Sequence, residues 1–224
     1  MHSYISIALD RTPTMTKSEQ LEKLKKEMET ANLPLMESNL VFGEGNIDSP
    51  VVFIGEAPGF NENEQRRPFV GRAGQLLNEL IKSVGWKRED VYITNIVKRR
   101  PPDNRDPLPE EIETYKPYLA RQMEILNPQV IASLGRFSMN YFLPFGKISR
   151  DQGKVFEAAG RLIVPLFHPA AALRSTEVLN QLKSSFARLP KIVSGAIKPE
   201  ADSSIAVDFT ARRKKETVPQ GSLF

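Results

Sequence analysis

The chain contains no cysteine and only two histidines. Without thiols there can be no disulfide, no thiolate-bound metal and no cysteine nucleophile. Their absence suits an expected cytoplasmic setting. His2 lies at the very start of the chain, whereas His168 opens the polar end of the run FHPAAALR. No apolar stretch approaches the ~20 residues that cross a bilayer, so no membrane partner is expected. The N-terminus also lacks a charged segment followed by an apolar one, so no secretory signal is expected. Net charge is only +4, a mild basic excess that by itself barely favours nucleic acid over a neutral partner.

What is present is ordinary for a globular protein: 40% hydrophobic and 26% charged residues in 224, enough for one large domain, or one domain with tails. Residues 1–15 read as a flexible N-terminus and 16–194 as the folded domain. Residues 195–224 read as a disordered basic tail carrying Arg212, Arg213, Lys214 and Lys215. Within the domain, Thr16 and Glu19 form a capping pattern for a helix over 17–31, with Leu21, Leu24 and Met28 on one face. VFGEGN (41–46) predicts a short strand and turn. Buried strands are expected at 51–55, 91–94 and 129–134, with a strand pair at 154–158 and 161–167. Helices are expected over 72–84, 110–126, 137–143 and 175–192, the second kinked or split by Pro117. Strands alternating with helices predict an α/β sandwich, a parallel sheet covered on both faces.

Several loops at the ends of these strands carry chemistry, where parallel sheets bind ligands. In GEAPG (55–59) the small residues let a ligand reach the backbone. Glu56 there is either a group that orients water or stabilises positive charge, or a solvated carboxylate in a tight loop. In RRPFVGRAG (66–74), Phe69 is either a staple against the following helix or a platform for a flat base. In TNIVKRRPP (94–102), Asn95 offers one acceptor and two donors. That edge matches a pyrimidine with N3–H beside a carbonyl, although a buried asparagine also serves as a loop fastener. Lys98, Arg99, Arg100 and Arg105 form a candidate phosphate-contacting patch. His168 is either structural or a neutral donor to an anionic leaving group. The turn that ends in Leu173 and Arg174 is a candidate apolar wedge for a base stack.

The motifs GEAPG, RPFVGRAGQLL, VYITNIVK-R-RPP, NR-PLP and FHP, in this order and at these spacings, resemble those of the family 4 uracil-DNA glycosylases, over about residues 30–192. The resemblance implies a three-layer αβα sandwich with a central four-stranded parallel sheet. It also implies cleavage of the N-glycosidic bond of deoxyuridine flipped out of DNA, leaving an abasic site for base excision repair. Glu56 then matches the acid of the first motif and Ala57 the small residue lining the pocket. Glu62 matches an acid near C5 of the base, Phe69 the stacking aromatic, Asn95 the base-reading amide, and His168 the histidine at uracil O2. The expected partner is uracil-containing DNA, acted on at the nucleoid by a protein expected to be a monomer. A non-catalytic uracil reader, a glycosylase of broader base preference and an unrelated hydrolase of small nucleotides are the competing readings.

The chain departs from that family at its [4Fe–4S] cluster, normally held by four cysteines. Arg99 and Tyr115 stand at two of those positions, and Thr30 and Leu33 align near the others. None can replace a thiolate, so no cluster and no other cofactor or metal is expected. Arg99, Tyr115 and a leucine are expected to rebuild the corner as a hydrogen-bonded, apolar plug. Ala170 replaces a serine common in the family, which implies loss of a phosphate contact. Finally, Gln220, Leu223 and Phe224 in the terminal QGSLF resemble the pentapeptide that docks bacterial repair proteins into the sliding clamp, an anchor plus apolar pair on a tether.

Overall fold

Val51–Gly55 has no polar side chain to turn outward, and all of its residues are buried. It is strand β2 at the middle of the sheet, and the rest of the fold is arranged around it. The computed structural model describes residues 15–200. Gln220, Leu223 and Phe224, with the rest of the expected tail beyond 200, lie outside the described residues, as do residues 1–14.

Among the described residues the strands are β1 (Glu44–Gly45), β2 (Val51–Gly55), β3 (Tyr92–Asn95), β4 (Val130–Leu134), β5 (Phe156–Ala158) and β6 (Arg161–Leu166). They form one sheet in the order β1-β3-β2-β4-β6-β5. The central β3-β2-β4-β6 pairings are all parallel. This is the expected four-stranded parallel sheet, extended by a short antiparallel strand on each edge. Successive side chains of a strand face opposite sides. Val52 and Ile54 accordingly join one core cluster and Val51 and Phe53 the other.

The first cluster is closed by α1 (Lys17–Thr30), α4 (Pro109–Leu126) and α5 (Gly135–Phe142), and the second by α3 (Arg72–Ser83), α8 (Thr176–Phe186) and α9 (Leu189–Val193). Helices thus cover both faces, giving the three-layer sandwich. The chain leaves β2 through α3 to reach β3 on one side, then returns through α4 to β4 on the other. The sheet therefore reverses direction beside β2, and a crevice opens at the carboxyl ends of its strands.

Several local expectations need revision. Pro117 does not split α4, which runs unbroken from Pro109 to Leu126. The proline lies on the exposed face, where water can serve the carbonyl it leaves without a donor. The last helix is interrupted instead. The chain turns after Phe186 and restarts as α9 with Pro190 in the first turn, where a proline lacks no needed N–H. Two short helices, α2 (Phe60–Gln65) and α6 (Ile148–Asp151), and the single turn α7 (Pro169–Ala172) add to the expected elements. Packing continues beyond 194: Ile197 lies against the second core cluster, and Glu200 N donates to Val155 O at 3.1 Å.

Candidate active site

A cavity of about 350 Å³ occupies the crevice. Glu56 and Ala57 reach it from the end of β2, Asn95 from β3 and His168 from β6, with Phe69 closing one side. Residues brought from distant parts of the sequence thus share one wall.

Asn95 is buried at 2% exposure, and its Oδ1 has no hydrogen-bond partner. A buried acceptor left unpaired is costly, which points to a donor supplied by a ligand. Gly55 is required beside it. A Cβ at Gly55 would lie 2.4 Å from Asn95 Oδ1 and 2.6 Å from the Phe69 ring. Small size at that position is what lets amide and aromatic converge.

Phe69 is buried but leaves its ring against the cavity, 5.7 Å from the His168 ring and tilted by 33°. Its backbone is held at φ +51°, a region that non-glycine residues seldom adopt. Two charged groups hold this turn. Glu62 Oε1 accepts from Val70 N at 2.8 Å and Gly71 N at 2.7 Å. From the other side, Arg88 donates to Pro68 O, to Phe69 O at 3.1 Å and to Asn78 Oδ1 at 2.7 Å. Glu44 in turn pairs with Arg88 at 2.7 Å and with Arg67 at 2.7 Å. Glu62 therefore lines the cavity while fastening the turn that carries the aromatic. Arg88, Glu44 and Asn78 escape a reading of the sequence, because isolated polar residues scattered over the chain form no motif until the fold gathers them.

His168 caps α7: its Nδ1 accepts from Ala170 N at 3.1 Å. An imidazole nitrogen that accepts carries no proton, so the proton sits on Nε2 and makes that nitrogen a donor. Burial lowers the His168 pKa to about 4, against a smaller opposing pull from Glu62. The side chain is thus a neutral donor across the physiological range. Gly135, at φ +89°, leaves room for it, since a Cβ there would come within 3.0 Å of His168 Cβ. Glu56 shows the opposite behaviour. Burial first, and the Asp106 carboxylate second, raise its pKa to about 7, partly offset by Arg136.

The expected phosphate patch needs correction. Lys98 is fully buried and donates to Thr94 Oγ1 at 2.5 Å, Asn95 O at 2.7 Å and Gln122 Oε1 at 2.6 Å. Burial pulls its pKa well below the ordinary lysine range. Arg99 is buried too and donates to Ser38 O. The chain beyond β3 directs both inward, so neither can meet DNA in this fold. Arg100, Arg105 and Arg174 remain accessible. Arg105 lines the cavity while pairing with Glu111 at 2.6 Å, and Arg174 lines it from the end of α7. Leu173 beside it is 43% exposed, a placement open to the wedge role.

The corner expected to lack a metal cluster is filled with protein. Tyr115 is fully buried and its hydroxyl donates to Pro34 O at 2.8 Å. Burial raises the tyrosine pKa, and the neighbouring Arg99 charge opposes that shift. Leu33 is buried in the same core cluster, and Thr30 Oγ1 bonds back to its own helix. A guanidinium, a phenol, an alcohol and an alkyl group do not fit an iron–sulfur cluster, whose irons need thiolates. Among the described residues, no group of three or more histidine, aspartate or glutamate side chains could hold a metal ion.

A doubly covered parallel sheet with an aromatic, an amide, a neutral histidine donor and a half-buried carboxyl at its crevice defines a nucleobase-handling enzyme of the α/β class. The profile of the Uracil DNA glycosylase superfamily matches residues 42–189, and the chain belongs to that superfamily. A type-4 uracil-DNA glycosylase of Archaeoglobus fulgidus is 44% identical over 164 residues, covering 69% of this chain and 82% of the relative. One from Thermotoga maritima is 47% identical over 64% of this chain and 76% of its own length. Another, from Sulfurisphaera tokodaii, is 39% identical over 81% of this chain and 87% of its own.

Proposed function

We infer that the protein is a uracil-DNA glycosylase that hydrolyses the bond between uracil and deoxyribose. The carrying observation is the unpaired Asn95 Oδ1 at a cavity wall formed by Phe69 and the His168 donor. A flipped uracil presents an N3–H to that acceptor, O4 to the amide N–H₂, a flat face to Phe69 and O2 to His168 Nε2–H. Cytosine has no N3–H and would leave the acceptor unpaired.

As the C1′–N1 bond breaks, its electron pair passes to the uracil ring and positive charge grows on the sugar. His168 stabilises the anion without giving up its proton, since a neutral imidazole is a poor acid but a well-placed dipole. Glu56, in its ionised form, stabilises the sugar cation and orients the water whose oxygen bonds to C1′. That water's proton leaves to solvent or to the carboxylate. Only a weak nucleophile is needed at a carbon already cationic.

The reaction needs no iron–sulfur cluster, because the plug around Arg99 and Tyr115 takes over that corner. The protein acts as a monomer on uracil-containing DNA at the nucleoid. Its terminal Gln220, Leu223 and Phe224 tether it to the sliding clamp. Deleting residues 220–224 is expected to abolish clamp binding in a pull-down and leave uracil excision intact; loss of excision would contradict a pure tether.

The test is single-turnover uracil release from a uracil-containing single-stranded oligonucleotide in EDTA, with a thymine control. Release from uracil alone is expected, slowed at least about tenfold by His168→Ala, which is about 1.4 kcal/mol of transition-state stabilisation. A folded wild type that binds the DNA without releasing uracil would favour the non-catalytic reader. An unchanged rate in the variant would remove His168 from the mechanism.

A further inference from the structure

Phe60 is 57% exposed at the first turn of α2. Neither core cluster draws on it. It directly follows Gly59, which lines the cavity. The Arg100 guanidinium lies over its ring, 5.3 Å from the centroid. Arg100 Nε donates to Asn104 Oδ1 at 2.7 Å, and Asn104 lines the same cavity. The exposed aromatic and its cation therefore sit directly beside residues that line the cavity.

Both are held in place. Ser38 Oγ donates to Arg100 O at 2.7 Å. Asn39 N donates to Asn63 Oδ1 at 2.8 Å, and Asn39 Nδ2 donates to Asn63 O at 3.0 Å, which anchors α2. Preorganised aromatic surface spends little entropy on binding. An exposed ring offers a stacking face, and an arginine beside it adds both cation–π attraction and charge for a phosphate.

We propose that Phe60 and Arg100 form a second base-binding subsite, which takes an unpaired DNA base neighbouring the flipped uracil. The proposal rests on the glycosylase reading and specifies how that enzyme holds its strand. The occupant is a base because this surface adjoins the base cavity, and any strand that delivers a nucleotide into the cavity must cross it. It is unpaired because a base inside a duplex has both faces covered by its neighbours. Leu173, exposed beside the cavity-lining Arg174, emerges beyond β6, two strands away from β2 across β4. The strand would thus meet apolar surface on both sides of the cavity. This arrangement gives the enzyme a preference for single-stranded or locally opened DNA.

A cycle between protein and DNA tests this by fluorescence anisotropy. One single-stranded oligonucleotide carries an abasic analogue at the target position with normal neighbours. A second lacks the neighbouring bases as well. Phe60→Ala is expected to weaken binding of the first about tenfold, the loss of one stack, and of the second less than about twofold. Phe60→Leu, which keeps apolar bulk, guards against misfolding and should show most of the same loss. Arg100→Gln should weaken binding and flatten its salt dependence. Equal losses on both oligonucleotides, or none, would overturn the subsite while wild-type uracil release still upheld the glycosylase. Absence of wild-type binding to either oligonucleotide would overturn the subsite, and only absence of uracil release as well would overturn the glycosylase.

Discussion

At the scale of single residues, the cavity holds two titrating groups pushed in opposite senses by the same burial. Glu56 is raised to about 7 and His168 lowered to about 4, since burial penalises whichever form is charged. The rate should therefore rise as pH increases through about 7, when Glu56 ionises, and show no histidine limb between about pH 5 and 8. A pH profile of single-turnover uracil release checks this, and Glu56→Gln should flatten it. A profile that falls with rising pH would instead make the protonated carboxyl the working form. Glu56, Asn95 and His168 are legible in the sequence itself, because each stands at the end of an apolar strand. Lys98 and Arg99 mislead for a related reason. A run of basic residues looks like a surface, and only the direction of each side chain decides whether it meets solvent or core.

At the scale of elements, the turn at 66–71 shows how loop geometry is enforced. Phe69 occupies a disfavoured φ, and Glu62 and Arg88 hold its flanking N–H and carbonyl groups. Arg88 is thus a positioning residue acting through Phe69. Arg88→Met should slow single-turnover uracil release at saturating DNA by about tenfold to a hundredfold, the range a small misplacement of substrate can cost. In a Phe69→Ala background the same change should add little. Additive losses in that cycle would reduce Arg88 to a general stabiliser. Long periodic elements such as α1, α3 and β4 are readable from their patterns. The division of the 175–192 segment is not, although Pro190 stands in plain view, because a proline can begin a helix as well as end one.

At the scale of the whole molecule, the most consequential feature is the corner where Arg99, Tyr115, Leu33 and Ser38 meet. It joins the segment before β1 to α4 and to the strand end beyond β3, so its loss should be felt globally. Tyr115→Phe leaves Pro34 O without its donor and should cost about 1–3 kcal/mol, seen as a lower Tm. Iron-free protein should melt at the same temperature with or without EDTA. A chelator-induced drop would show that a metal contributes to the fold.

The sequence alone determined the alternation of apolar strands with amphipathic helices and placed the chemically loaded residues at strand ends. Both follow from local periodicity and side-chain chemistry. Only the tertiary structure decided which of those residues face one cavity, which basic groups turn inward, and how Arg88 and Glu62 hold the aromatic turn. Those outcomes depend on contacts between residues far apart in the chain, and no local pattern encodes the direction in which a packed side chain finally points.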